Sequence, residues 1–152
     1  MTTPIDRRTC LRGAAPLLLT GLAGCSGSSC GGGRPPTIEG EEPTVAPGEE
    51  TVVTVSATGV SGLSFGDPYP DDAYLMMEFG NASVSPDTAH GSDGSPPGYG
   101  WDGCTDVEVR VPLTVPADTE RGGYYYLVYA SAPGGDDPPS SEREFTIRVS
   151  GS

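Results

Sequence analysis

Residues 106–115, DVEVRVPLTV, alternate strictly between apolar and polar side chains. Successive side chains of a β-strand point to opposite faces, so this period of two predicts a strand with one buried face. The residues predicted to be buried are Val107, Val109, Val111, Leu113 and Val115. A helix would instead need apolar residues three and four positions apart, so this segment favours a β-fold.

Four further runs of similar texture lie on either side of this segment. They are residues 51–58 (TVVTVSAT), 73–79 (AYLMMEF), 124–130 (YYYLVYA) and 144–149 (EFTIRV). Short β-rich runs separated by Gly- and Pro-rich turns predict an all-β sandwich of about seven short strands. We expect the sandwich to occupy residues 43–150 as one domain.

Segments near both ends of this predicted domain resemble immunoglobulin-like modules. The closing segment consists of VPADTERGGYYYLVYA (residues 115–130) and REFTIRV (residues 143–149), and the opening segment is PTVAPGEETVVTVSAT (residues 43–58). The resemblance implies an immunoglobulin-like β-sandwich. The chain departs from antibody-type domains, because its single tryptophan, Trp101, lies in a Gly- and Pro-rich stretch predicted to be a loop, and no cysteine pair flanks it suitably.

The N-terminal stretch RRTCLRGAAPLLLTGLAGC, residues 7–25, has the features of an export signal. Arg7 and Arg8 resemble the twin-arginine pair of such signals, and the ending at Cys25 resembles a lipobox. The apolar run between them is far shorter than the ~20 residues that a membrane helix needs. A buried amphipathic helix is the alternative, but the run has no polar face.

These resemblances imply an organisation for the first part of the chain. Residues 1–24 would be a twin-arginine signal peptide, and Cys25 would carry a lipid that anchors the protein to the outer face of the cell membrane. Residues 25–42 are rich in Gly, Ser and Pro, so we expect them to form a flexible tether.

The chain of 152 residues is strongly acidic, with 21 Asp and Glu against eight basic residues, all of them Arg, and a net charge of −13. This charge repels phosphate groups, so nucleic acid is not an expected partner. The composition resembles that of proteins from extreme halophiles. By its composition and its export signal together, the chain resembles surface lipoproteins of halophilic archaea. The alternative is an ordinary acidic secreted protein.

Three further positions are candidates for covalent modification. Cys10 would leave with the signal peptide, so Cys30 and Cys104 remain and are candidates for a disulfide in an oxidising exterior. The alternative is two free thiols. Asn81, Ala82 and Ser83 form an N-glycosylation sequon, although such triplets also arise by chance.

The sequence contains no recognisable catalytic or cofactor motif. The absence of Lys excludes a Walker A loop, and the single histidine, His90, excludes HExxH zinc sites and two-histidine copper sites. Asp residues cluster at 67–72 and 87–106 and would suit Ca²⁺, but they lack EF-hand spacing and agree with acidic residues scattered for solubility. We therefore predict no enzyme activity, no cofactor and no resident metal.

A candidate ligand face is formed by Trp101, Tyr125 and Tyr129. Alternation within residues 124–130 places both tyrosines opposite the core, where exposed rings can stack on sugars or dock a partner. The alternative is that the long loop covers them. We predict a non-catalytic surface lipoprotein with a structural, adhesive or protein-interaction role and an envelope protein or glycan as partner; the alternative is an accessory protein that binds a solute, a carbohydrate or Ca²⁺.

Overall fold

The computed structural model describes residues 33–66, 76–92 and 97–151. Their regular structure is β-sheet apart from one short 3-10 turn, Phe79–Asn81. The strands are β1 (Thr37–Gly40), β2 (Thr44–Val45), β3 (Glu50–Gly66), β4 (Ser83–Ser85), β5 (His90–Ser92), β6 (Gly98–Thr114), β7 (Gly122–Ser131) and β8 (Ser140–Val149). The predicted all-β, immunoglobulin-like sandwich is confirmed.

Two strands of 17 residues, β3 and β6, belong to both sheets of the sandwich. The first half of β3, Glu50–Ala57, pairs with the second half of β6, Val107–Thr114, in the first sheet. Strands β1 and β4 form the edges of this sheet. Past register shifts near Val60, β3 pairs with β7 and with the first residues of β6 in the second sheet. The second sheet has the order β2, β8, β7, β3, β6, β5.

Glycines permit the change of direction between the two sheets. Gly59 in β3 has a φ of +74° and Gly103 in β6 has a φ of +91°, a region that residues with a Cβ rarely adopt. Bulges at such points bend a strand, which is how one strand crosses from one packed sheet to the other. The curled, continuous sheet therefore encloses one core.

The core follows the predicted alternation. Val109, Val111, Leu113 and Val115 are completely buried, and Val107 is almost so. Val53, Val55 and Ala57 of β3 pair directly with residues of this set in the first sheet. The inward residues of the second sheet complete the core: Leu63, Phe65, Tyr126, Val128, Phe145, Ile147 and Val149. Apolar burial of this kind is the main stabilising contribution to a small β-domain.

The sandwich begins earlier in the chain than predicted. Strand β1 lies within residues 25–42, which were expected to be tether, and pairs with β3. Ile38 is only 1% exposed, and the Tyr126 hydroxyl donates to the Glu41 carbonyl at 2.7 Å. The boundary at residue 43 is therefore too late, because a single buried isoleucine between Gly- and Pro-rich neighbours gives no visible periodicity.

Three other strand predictions need correction. The strand predicted over residues 73–79 is not formed in its described part, where Met77 makes one isolated bridge to Leu113 and Phe79 begins the 3-10 turn. Strand β6 begins at Gly98 instead of residue 106, and β3 continues to Gly66 instead of ending at residue 58.

Among the described residues, no helix has the length and apolar character to cross a membrane.

Candidate functional site

An open groove of about 610 Å³ crosses the outer face of the second sheet. Its floor consists of Gly62, Ser64, Gly98, Gly100 and Ser131, and its walls carry Tyr129, Glu142 and His90. We call this surface the outer groove. It lies on rigid strands on the face opposite the core, since the alternate residues Leu63, Phe65 and Ala130 are buried.

Strand register brings the groove residues together from five strands. One cross-strand row runs from Ser140 through Ser131, Gly62 and Gly100 to His90. The adjacent row runs from Glu142 through Tyr129 and Ser64 to Gly98. Because side chains at directly opposed positions share one face of a sheet, both rows face solvent together.

Glycine and serine keep the groove open. A Cβ at Gly62 would lie 2.9 Å from the Ser131 Oγ, and one at Gly100 would lie 3.4 Å from the His90 Cβ. Any larger residue at these positions would occupy the space or press on its neighbour. The backbone of β3 and β6 is therefore directly accessible along the groove floor.

Tyr129 forms one end of the outer groove. It opposes Ser64, but its ring lies over Gly66, two residues further along β3, in the space that a Cβ would occupy. The ring therefore leans along the sheet surface, and the residue is 38% exposed. Packing of an aromatic ring over a strand glycine is a recurrent way to protect such a glycine.

Tyr129 of β7 and Glu142 of β8 are directly opposed across the two strands, and both line the groove. Burial and, after it, the negative charge of Glu142 raise the pKa of Tyr129, so the phenol stays protonated and keeps its donor. Tyr129 and Glu142 thus form one subsite, in which an apolar ring lies beside a polar carboxylate.

His90 marks the opposite end of the groove. Its Nε2 lies 3.4 Å from an Asp102 carboxylate oxygen, and the two side chains are 77% and 85% exposed. An ion pair this exposed contributes little free energy and is not held rigidly. It gives the groove a polar rim and not a preorganised acid or base.

The structure separates the three residues of the predicted ligand face. Trp101 is a β6 residue only 6% exposed, and its Nε1 donates to the Pro86 carbonyl at 3.0 Å, so it is not part of an exposed face. Tyr125 is 41% exposed on the same face as Tyr129, but it does not line the groove. Of the predicted three, only Tyr129 lies in the outer groove.

The remaining predicted positions are distributed as follows. Cys104 lies in β6 and is disulfide-bonded, to a cysteine outside the described residues. Arg7, Arg8, Cys25 and Cys30 also lie outside the described residues, as do Asp67, Asp71, Asp72 and Asp93. In the part of the chain that is described, no group of three or more His, Cys, Asp or Glu residues is arranged to hold a metal ion.

Asn81 is the last residue of the 3-10 turn and is exposed. Its Nδ2 donates to the Glu78 carboxylate at 3.1 Å, and the Thr114 hydroxyl donates to the same carboxylate at 2.6 Å. These hydrogen bonds, that from Thr114 first, lower the pKa of Glu78. Glycosylation of Asn81 stays a prediction, at a position that solvent reaches.

The groove itself was not predicted from the sequence. Its local signal is a pair of glycine-spaced stretches, GLSFG at residues 62–66 and GYGW at residues 98–101, in which small residues alternate with large apolar ones. A strand reading of these stretches places the large residues inward and the small ones outward. The Gly content had instead indicated loops.

Comparison with solved structures gives similarities of fold at low sequence identity. AggA, the major subunit of aggregative adherence fimbriae type I from Escherichia coli, is 16% identical over 78% of this chain and 95% of its own, with a TM-score of 0.47. The seventh ScaB type I cohesin from Pseudobacteroides cellulosolvens is 12% identical over 78% of this chain and 94% of its own, with a TM-score of 0.41.

A family 123 glycoside hydrolase from Clostridium perfringens is 10% identical over 74% of this chain but only 23% of its own, with a TM-score of 0.39. No protein-family model and no curated protein sequence matches the chain. The fold and the groove therefore define the class of the protein as an immunoglobulin-like β-sandwich with an open groove on one outer sheet.

Proposed function

We propose that this chain is an exported, lipid-anchored module that binds a component of the cell envelope, or another surface protein, through the outer groove without catalysing a reaction. The observation that carries the proposal is the groove: five paired strands present an accessible backbone floor, serine hydroxyls and the cross-strand pair Tyr129–Glu142. Binding sites are commonly concave, with a few placed polar groups.

The anchor part of the proposal is supported by the sequence. Arg7, Arg8 and Cys25 match the order of a twin-arginine signal followed by a lipobox. Cys25 precedes Cys30, the candidate disulfide partner of Cys104, by five positions, and an extended chain of that length reaches about 17 Å. Such a tether leaves room for a partner to reach the sandwich above a membrane surface.

A non-catalytic role agrees with the polar groups of the groove. General acid–base chemistry needs groups held within hydrogen-bond reach of a substrate and tuned in pKa. The His90–Asp102 pair is largely exposed to solvent, and Glu142 lies beside a tyrosine, with no second carboxylate among the groove-lining residues that the structure describes. These groups suit recognition of a ligand better than proton transfer.

The anchor is tested by the mass of the protein isolated from the membrane fraction of its own organism. We expect a mature chain that begins at a lipidated Cys25. Glycosylation of Asn81 would add the mass of a glycan, and Asn81→Gln would remove it. Cys25→Ser should move the protein to the medium, whereas Cys30→Ser, the matched control, should leave it in the membrane fraction. A chain that retains residues 1–24 would contradict the anchor.

The groove is tested by filling it. Ser64→Trp places an indole on the groove floor, on the outer face and away from the core. We expect binding of the purified, labelled chain to cells of a deletion strain to fall at least fivefold. The matched control is Val52→Trp on the outer face of the first sheet, where Val52 is already 49% exposed. Equal binding by both variants would exclude the groove as the interaction surface.

A further inference from the structure

We infer that the outer groove takes a neutral saccharide, with one sugar ring placed against Tyr129 and Glu142. This inference rests on the proposed function, because it names the ligand class for the same surface. It is carried by the shape of the groove, the chemistry of its polar groups and the sign of the surrounding charge.

The shape suits an elongated ligand that lies flat on the sheet. The groove residues come from β8, β7, β3, β6 and β5 in that order, and five strands span about 19 Å across their hydrogen-bonding direction. Since Gly62, Gly98 and Gly100 place no side chains on the floor, a ligand can approach the backbone closely.

The polar groups on the floor are uncharged hydroxyls, from Ser64 and Ser131, and Ser140 adds a third hydroxyl to the lining beside them. A serine hydroxyl both donates and accepts hydrogen bonds, as every sugar hydroxyl does. Neutral partners of this kind exchange hydrogen bonds with water at a small desolvation cost, whereas a buried charge without a partner is expensive. The floor is therefore chemically matched to a polyhydroxylated, uncharged ligand.

Tyr129 and Glu142 supply the two contacts that orient a sugar ring. The Tyr129 ring leans on Gly66, so its outward side offers an apolar surface to the C–H groups of a sugar. The Glu142 carboxylate, on the residue directly opposite Tyr129 in β8, has lone pairs that can accept from ligand hydroxyls. An apolar face beside a carboxylate acceptor distinguishes a sugar ring from bulk water.

Charge excludes most other ligand classes. The chain carries a net charge of −13, and Glu142 is the acidic residue in the groove wall, so phosphorylated, sulfated or uronic acid ligands are repelled. A cationic peptide segment would be attracted and is the competing occupant. Among the described residues it would find only Glu142 and the rim carboxylate of Asp102, with hydroxyls over the rest of the floor.

The test is a titration of the isotopically labelled mature chain, followed by amide chemical shifts in two-dimensional NMR. The probes are neutral oligosaccharides of glucose, mannose, galactose and N-acetylglucosamine, an oligogalacturonate as acidic control, and an Arg-rich peptide. We expect saturable shifts at Gly62, Gly98 and Gly100 with at least one neutral oligosaccharide and none with the oligogalacturonate. Binding of the peptide alone, or of no probe, would overturn the inference.

Two tyrosine variants sharpen the test. Tyr129→Ala should weaken the affinity for the neutral saccharide by about tenfold, the upper range for loss of one ring contact. Tyr125→Ala removes an exposed ring from the same strand and face but outside the groove, so its affinity should stay within about twofold. The amide spectra also report whether each variant is folded, and equal effects of the two variants would contradict the inference.

The cell-binding experiment separates this inference from the proposed function. If Ser64→Trp abolishes cell binding while no neutral saccharide binds the chain, the groove is an interaction surface for another ligand and only the saccharide inference fails. If Ser64→Trp binds cells like the unsubstituted chain, the proposed function of the groove fails first.

Discussion

Lowering NaCl from 3 M to 0.1 M should cost the sandwich several kcal/mol of unfolding free energy and lower its melting temperature by about 10 °C or more. The 21 acidic residues face only eight arginines, and the ion pair Arg110–Glu108 is exposed on both sides. Two like charges 10 Å apart in water repel by about 0.4 kcal/mol, and many such pairs are brought together on folding. At molar salt the Debye length falls to about 3 Å, so most of this repulsion vanishes.

Thermal unfolding monitored by circular dichroism measures this effect directly. A neutral osmolyte such as sucrose, added at 0.1 M NaCl, is the control: it stabilises by exclusion but does not screen charge, so it should restore only part of the melting temperature. KCl and NaCl at equal concentration should act alike if screening is the cause. A melting temperature that does not change between 0.1 and 3 M salt would contradict the halophilic interpretation.

Where side chains alternate, the sequence was sufficient to predict strands. The alternate residues from Val107 to Val115 are buried as expected, and so are Tyr126, Val128, Phe145 and Ile147. Each of these segments carries its own period of two, which reflects a choice between core and solvent at every residue. This alternation is a local pattern, so a window of ten residues is enough to detect it.

Strand ends and extensions could not be predicted, because partners decide them. The first residues of β6 are GYGW, and the end of β3 is GLSFG; Gly has a low intrinsic preference for strands, and only pairing with β5, β6 and β7 keeps these stretches extended. Ile38 is likewise a strand residue because it pairs with Ala57 of β3, and Tyr126 of β7 holds the following residues through the Glu41 carbonyl. Such contacts join residues far apart in sequence.

The contrast between local alternation and long-range pairing also decides which parts of the candidate site the sequence predicts. Tyr125 and Tyr129 lie on the outer face, as alternation within β7 predicts. Trp101 was expected in a loop and is instead inward, because it alternates with Gly98 and Gly100 in a strand. The groove depends on the register of five strands, and no local pattern encodes that register.

The second large effect concerns the disulfide of Cys104. We expect Cys30→Ser and Cys104→Ser each to lower the unfolding free energy by about 4 kcal/mol, the loop-closure contribution of a cross-link that spans about 75 residues. The double variant should be no less stable than either single variant, because both remove the same bond. Cys10→Ser should have no effect on the mature protein, since Cys10 would leave with the signal peptide.

The register of the first sheet supports Cys30 as the partner. Thr37, at the start of β1, opposes Thr58 of β3, and Val60 of the same strand opposes Thr105, the neighbour of Cys104. The chain therefore enters the sandwich at the end of the sheet where Cys104 lies. Cys30 precedes Thr37 by seven residues, which reach about 23 Å when extended, more than the two strand spacings of about 10 Å that separate β1 from β6.

Denaturant unfolding of the three single variants and the double variant measures these differences, at a fixed high salt concentration so that charge repulsion is constant. Cleavage after glutamate without reduction should yield the peptide that ends at Glu39, which contains both Cys25 and Cys30, linked to the peptide that contains Cys104. Fragmentation of this linked peptide in the mass spectrometer should place the bridge at Cys30. Additive losses in the double variant, or fragments that place the bridge at Cys25, would contradict the Cys30–Cys104 pair. In the second case Cys25 could not carry the thioether-linked lipid, because one sulfur cannot hold both bonds, so the disulfide and the anchor are tested by a single peptide map.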